Sequence, residues 1–252
     1  MAMHDLYLLH LGRLGPSIDT GPADASHFNP VPGYLIRTAG GRTILVDSGN
    51  PAALIGRPTA EPWWPLANAT NPEDDVVARL AALGLAPADV DLLVSTHFDF
   101  DHCGRHEAFA AVGVTTVVQR THLDDARTNL RYDPRLWNPP GIAYAPIDGD
   151  TELEPGLRLL ASSGHALGHQ SVFVETRDGP VVLAIDAINR EDEIVTGEIP
   201  TWYPAPEDAH RSRRRLLAIA AETGAYVIYG HDATQWATLP QSPQPFRRPG
   251  GG

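Results

Sequence analysis

An α/β fold with two β-sheets packed face to face and helices on the outer faces, an αββα sandwich, is what this 252-residue sequence predicts. Three observations point to it. Strand-like runs come first and are followed by mixed strands and helices, and this order occurs twice. The histidines and aspartates that crowd together each fall just past a predicted strand. No Pro/Gly/Ser-rich linker divides the chain, so residues 1–239 read as a single domain.

The elements follow in order. Residues 6–9 read as a short strand. Residues 34–38 and 43–46 are β-rich runs flanking the glycine turn Ala39-Gly40-Gly41-Arg42, which predicts a hairpin. The stretch 51–71 is rich in proline and tryptophan and reads as a loop. Helical periodicity runs over 74–83 and ends at Gly84. Residues 91–95 form a short buried strand, 106–112 a helix, 114–119 a strand and 122–129 a short helix. Three more strands are predicted at 157–162, 171–176 and 181–185. The clearest amphipathic helix spans 206–223, and a strand at 226–229 leads into Gly230-His231-Asp232. The Pro/Gly-rich stretch 240–252 reads as a flexible tail.

Composition narrows the function classes. There are 31 acidic against 19 basic residues, a formal charge of −12, so no basic footprint for nucleic acid is present. No apolar run approaches the ~18 residues of a membrane span, and no signal peptide is legible. Cys103 is the single cysteine, which rules out an intrachain disulfide. A cytoplasmic location is the expectation.

The chemistry concentrates in four segments. His97, Asp99, Asp101 and His102 lie within six residues; His165 and His169 share one loop; Asp186 ends the strand 181–185; His231 ends the strand 226–229. Imidazoles and carboxylates together are the ligands of zinc, iron and manganese. Crowded after a buried strand with no cation, they would repel or desolvate one another. Two metals about 3.5–4 Å apart need a bridging carboxylate with room for a hydroxide between them, and Asp186 is the candidate bridge. The scattered histidines His4, His10, His27, His106 and His210 read as structural or solvated. Trp63, Trp64, Trp137 and Trp202 fall in loop-like segments, where aromatics either line an apolar pocket or pack loops onto the core.

At these residues the chain resembles the metallo-β-lactamase superfamily, whose signature is His-x-His-x-Asp-His followed by a distant His, an Asp and a His. Here the first stretch is His97-Phe98-Asp99-Phe100-Asp101-His102, and His165, Asp186 and His231 match the later positions. The turn Val46-Asp47-Ser48-Gly49 is similar to another family element. Within the superfamily the likeness is greatest to N-acyl-homoserine lactone lactonases, the quorum-quenching enzymes. It rests on Gly164-His165-Ala166-Leu167-Gly168-His169-Gln170-Ser171, on Asp148-Gly149-Asp150 with Leu153, Pro155 and Gly156, and on Gly230-His231-Asp232.

The resemblance implies two divalent metal ions, zinc first, with iron or manganese as alternatives. One would be held by His97, Asp99, His165 and Asp186, the other by Asp101, His102, His231 and Asp186. His169 and Asp47 would support these ligands from behind. A hydroxide between the metals would open a lactone or cleave a carboxylic ester, with Asp101 passing a proton to the leaving group. The substrate is a small molecule, and the chain is expected as a monomer or homodimer. Two departures stand out: Asp99 occupies a position that is usually histidine, which adds negative charge, and Asn189 stands where the lactonases carry a tyrosine that holds the substrate carbonyl. A phosphodiester or thioester hydrolase on the same fold, or a metal-binding protein with little catalysis, are the alternative functions.

Overall fold

In the computed structural model residues 3–17, 28–57, 61–63 and 66–250 are described. An eight-stranded sheet is built from β1 (Asp5–Ser17), β2 (Asn29–Arg37), β3 (Thr43–Val46), β4 (Glu61–Trp63), β5 (Leu66–Ala69), β6 (Leu92–Val94), β7 (Thr115–Gln119) and β8 (Ala143–Ile147), in the order β4-β5-β1-β2-β3-β6-β7-β8. A five-stranded sheet holds β9 (Thr151–Glu154), β10 (Leu157–Ala161), β11 (Gln170–Thr176), β12 (Gly179–Ile185) and β13 (Tyr226–Tyr229), in the order β13-β12-β11-β10-β9.

Alternation along the strands explains the layering, because successive side chains point to opposite faces of a sheet. In the first sheet Leu8, Ile36, Ile44 and Val94 point inward. They meet Leu159, Val172, Val174, Leu183 and Ile228 of the second sheet in one buried core. Their neighbours Leu9, Leu35, Leu45 and Leu93 point the other way and are covered by Val76 and Leu80 of α1 (Val76–Ala82) and by Phe109. The second sheet repeats the pattern, with Leu160, Phe173 and Val182 covered by Leu216 and Ala220 of the long amphipathic helix Pro206–Thr223. Both faces of both sheets are therefore apolar, as a two-sheet sandwich with outer helices requires. The expected αββα architecture is the observed one.

Several expectations shift in detail. The first strand is longer than residues 6–9 because β1 continues past a register shift between His10 and Arg13, where Gly12 has φ +116°. The proline-rich stretch read as a loop contributes β4 and β5 at the outer edge of the sheet, the location that tolerates proline. Within the stretch read as a flexible tail, the amides of Ser242 and Phe246 donate to the β1 carbonyls of Leu8 and Leu6, and the Phe246 ring is buried. Among the described residues no helix is long and apolar enough to cross a membrane.

Topology places chemistry at one end of the sandwich. β3 and β6 are parallel neighbours with Val46 opposite Val94, so Asp47 and residues 95–97 emerge side by side. β12 and β13 are also parallel, with Ile185 opposite Tyr229, so Asp186 and His231 emerge together from the other sheet.

Candidate metal centre

His97 to His102 leave β6 and enter α2 (Phe100–Cys103), a single turn that points Asp101 and His102 inward, both buried. From the opposite sheet Asp186 follows Ile185, a β-branched residue at φ +52°. Such a conformation costs about 1–3 kcal/mol and persists only where the surroundings enforce it. Here they do. A Cβ at Gly230 would lie 2.5 Å from the Ile185 carbonyl oxygen, so the strand end that carries His231 packs directly on the bent strand end that carries Asp186.

Four imidazoles converge on Asp186. Its carboxylate oxygens lie 3.3 Å from His102 Nε2, 3.3 Å from His231 Nε2, 3.4 Å from His165 Nε2 and 4.0 Å from His97 Nε2. Asp99 Oδ2 is 3.2 Å from His97 Nε2 and 2.9 Å from His165 Nε2. Asp101 Oδ2 is 3.3 Å from His102 Nε2 and 3.7 Å from His231 Nε2. The structure thus brings together all seven residues read from the sequence as ligands, and their donor atoms form three compact groups: His97–Asp99–His165, His97–His102–Asp186 and Asp101–His102–His231.

Hydrogen bonds settle which ring nitrogen faces inward. Asp47 Oδ2 accepts from His102 Nδ1 at 2.8 Å and from Thr96 Oγ1 at 2.8 Å. The Thr96 hydroxyl proton is thereby committed, so its oxygen accepts from His97 Nδ1 at 3.0 Å. His231 Nδ1 donates to the Pro30 carbonyl at 2.8 Å. All three rings are therefore anchored through a proton on Nδ1, which leaves Nε2 facing Asp186 as the atom that would bind a metal once free of its proton, the orientation that metal-ligating histidines take from such outer partners. His97 Nε2, His102 Nε2 and Asp186 Oδ1 are buried with no hydrogen-bond partner. Orphaned polar atoms at this density are costly unless a cation satisfies them, so these residues fit a divalent metal site.

The electrostatics agree. Burial opposes charge on His231, yet Asp186 and Asp101 outweigh it and push the imidazole up to about 9. Burial likewise opposes charge on His102, but Asp101, Asp186 and Asp47 raise it well above the usual histidine range. For Asp186 burial works against ionisation, and the surrounding His231, His102 and His165 hold it well below the usual carboxylate range. The pocket stabilises positive charge around an ionised Asp186.

The remaining predicted residues take supporting places. His169 is fully buried, its ring centroid 5.1 Å from that of His97. Ser171 Oγ donates to the Ala184 carbonyl, Ser162 Oγ donates to Ser171, and His169 Nδ1 donates to Ser162, each near 2.8 Å. Asn189 lies on the loop after Asp186. Its amide donates to Tyr203 Oη at 3.1 Å rather than reaching the carboxylates. Trp137 is buried and stacks on Phe98 at 5.4 Å, a packing role. Trp202 is 60% exposed with its ring 5.2 Å from His165. Trp64 lies outside the described residues, as does His27, and of Trp63 only the backbone is described. His4, His10 and His106 are bonded to backbone or neighbouring side chains away from the cluster, and His210 lies half-buried on the long helix.

Three residues important to this geometry were not legible in sequence. His122 accepts from the Phe98 amide at 2.8 Å and donates to the Leu167 carbonyl at 2.8 Å, joining the two loops that carry His97 and His165. Tyr203 is buried between Asn189 and His165, its ring 5.0 Å from the imidazole. Arg131 grips Asp99 through Nε at 2.7 Å and Nη2 at 2.5 Å. The added negative charge expected from Asp99 is therefore balanced by a guanidinium, which together with His97 holds the carboxyl well below its ordinary range although burial opposes it.

A two-sheet sandwich with this donor set at its strand ends defines a metal-dependent hydrolase. The comparisons agree: residues 28–231 match the metallo-beta-lactamase superfamily model, and the chain belongs to that superfamily. It is 33% identical over 250 residues to an N-acyl homoserine lactonase of Bacillus thuringiensis, covering 93% of this chain and 96% of the relative. It is 30% identical to the N-acyl homoserine lactonase AttM of Azorhizobium caulinodans, covering 94% and 97%. Among solved structures, an N-acyl homoserine lactone hydrolase with the product N-hexanoyl-L-homoserine bound at its catalytic metal center superposes with a TM-score of 0.86 at 29% identity, covering 97% of this chain and 100% of that one.

Proposed function

We propose that this protein opens the lactone ring of N-acyl homoserine lactones, using two divalent metal ions, zinc in the first instance. The observation that carries the reading is the convergence of four imidazole Nε2 atoms on the two oxygens of Asp186, within 3.3–4.0 Å. The lactonase relatives supply the substrate class. His97, Asp99 and His165 would hold one ion and Asp101, His102 and His231 the other, with Asp186 between them. Bound there, the ions would supply Lewis-acid activation of water and of the ester carbonyl.

The chain's own groups do the rest. Asp101, buried and 3.7 Å from His231 Nε2, is placed to hold a proton and deliver it to the leaving alkoxide. Tyr203 offers a phenol that burial keeps protonated, next to Asn189, where a substrate carbonyl can be oriented. The exposed face of Trp202 beside His165 offers an apolar platform for the acyl chain.

The test is the hydrolysis of N-hexanoyl homoserine lactone by purified protein, followed by proton release, with and without chelator and alongside metal analysis. About two equivalents of metal and chelator-sensitive ring opening are expected. Two metals with no opening of any lactone would reject the substrate.

A further inference from the structure

After α3 (His106–Ala110) and β7 comes α4 (Arg120–Ala126), and Arg131 lies in the loop between α4 and α5 (Pro134–Trp137). Its side chain is only 18% exposed, and the hydrogen bonds of its fork go to Asp99 and His165. Nε meets Asp99 Oδ1 at 2.7 Å, and Nη1 donates to the His165 carbonyl at 2.7 Å. Nη2 lies 2.5 Å from Asp99 Oδ2 and 2.8 Å from His165 Nε2. The guanidinium also lies over the Trp202 ring at 5.1 Å and the Tyr132 ring at 5.5 Å, which locks the plane of the fork.

One nitrogen therefore touches both atoms that a metal would share with His97. In either tautomer His165 Nε2 is engaged, accepting from Arg131 Nη2 at 2.8 Å or donating to Asp99 Oδ2 at 2.9 Å, and it must be released before it can bind a metal. A fixed cation against the same carboxylate also repels a divalent ion through a largely water-free gap. Among the described residues the Asp101–His102–His231 group has no cationic side chain in such contact: its carboxylate and imidazoles meet one another, Asp186, Asp47 and the Pro30 carbonyl.

We propose that Arg131 is a built-in cation of the His97–Asp99–His165 position, which makes the two metal positions unequal: the Asp101–His102–His231 position holds its ion tightly, and the Arg131-paired position holds its ion weakly and exchanges it readily. The proposal rests on the two-metal reading of the site and is independent of which ester is the substrate.

Calorimetric titration of chelator-stripped, full-length protein with zinc tests it, with cobalt as a second probe because its visible spectrum reports coordination. Wild type should bind in two steps, the second at least ~10-fold weaker, the scale on which a neighbour of a metal ligand changes affinity. Arg131→Gln should tighten the weak step by a similar factor and leave the tight step unchanged, while Arg131→Lys, which keeps the charge, should leave the weak step weak. Two wild-type steps of equal strength would overturn the proposal without any variant. A weak step that is unchanged or weaker still in Arg131→Gln would overturn it too and make the arginine a support for Asp99. Lactone turnover is not read, so failure here is distinct from failure of the lactonase reading.

Discussion

Asp47 Oδ2 accepts a hydrogen bond from His102 Nδ1 at 2.8 Å, and the same oxygen takes the hydroxyl of Thr96, which in turn orients His97. One buried carboxylate at the end of β3 thus sets the tautomer of two imidazoles that emerge after β6. Asp47 itself sits at φ +60°, and its amide is tied to the Val94 carbonyl at 2.9 Å, so the carboxylate is held by the backbone. Asp47→Ala should lower metal affinity by ~10–100-fold, the usual effect of losing such an outer partner, while both sheets stay folded. Competition with a chelating indicator measures it; wild-type affinity in the variant would show that His97 and His102 are oriented without Asp47.

Tyr203 and Asn189 form the hydrogen-bonded pair next to Asp186, with Tyr203 Oη also 3.4 Å from the Asp186 carbonyl oxygen. If the phenol orients the substrate carbonyl, Tyr203→Phe removes one donor and little volume. The expected loss in kcat/KM is on the order of 10–100-fold, approaching that of an oxyanion donor, with metal content unchanged. Equal kinetics for variant and wild type would assign the ring to packing against His165.

Why some of this was readable and some not follows from sequence distance. His97, Asp99, Asp101 and His102 are local to one turn, and Asp186 and His231 each end a strand, so hydrophobic runs announce where they emerge. Asp47 was reachable only through its family turn. Arg131 meets Asp99 across 32 residues from a loop that carries no period, and His122, on α4, meets the Phe98 amide across 24, a contact that helical periodicity does not announce. Tyr203 and Trp202 came from one proline-flanked loop, and nothing in that pattern says which aromatic turns inward; the structure buries Tyr203 and exposes Trp202. The edge strand β4 carries Pro62, which suppresses a strand signal that an edge position can bear, and β5 beside it is only four residues long.

His122 makes stability depend on acidity. Burial drives its imidazole down to about 4, against an ordinary value near 6.5, although the hydrogen bond to the Leu167 carbonyl raises it, and protonation would also break the bond it accepts from the Phe98 amide. The unfolded chain binds a proton near pH 6.5 and the folded chain does not until about pH 4. The unfolded state therefore holds more protons in that window, and stability must fall as pH drops through it. For His122 the loss approaches ~3 kcal/mol at ~1.4 kcal/mol for each pH unit. Urea midpoints of chelator-treated protein between pH 7 and 4 should show it. His122→Gln, whose amide oxygen can accept from Phe98, should flatten the slope by close to one proton, and an unchanged slope would remove His122 from the account.

Asp186, from the second sheet, meets imidazoles carried by both sheets at the candidate metal centre. Its two oxygens are shared among His97, His102, His165 and His231, and one of them, Oδ1, has no hydrogen-bond partner. Asp186→Ala removes the carboxylate that, alone among the described residues, meets both candidate metal positions, so metal content should fall from about two equivalents to one or fewer. Lactone opening should drop by at least ~10³-fold, since proximity and activation are lost together. Asp186→Asn keeps the volume and removes the charge, so the two variants should behave alike if the anion is what holds the ions in register. Turnover and metal content are measured on the same preparation: wild-type rates in either variant would sink the two-metal mechanism, and full metal content with lost turnover would move Asp186 from holding metal to positioning substrate.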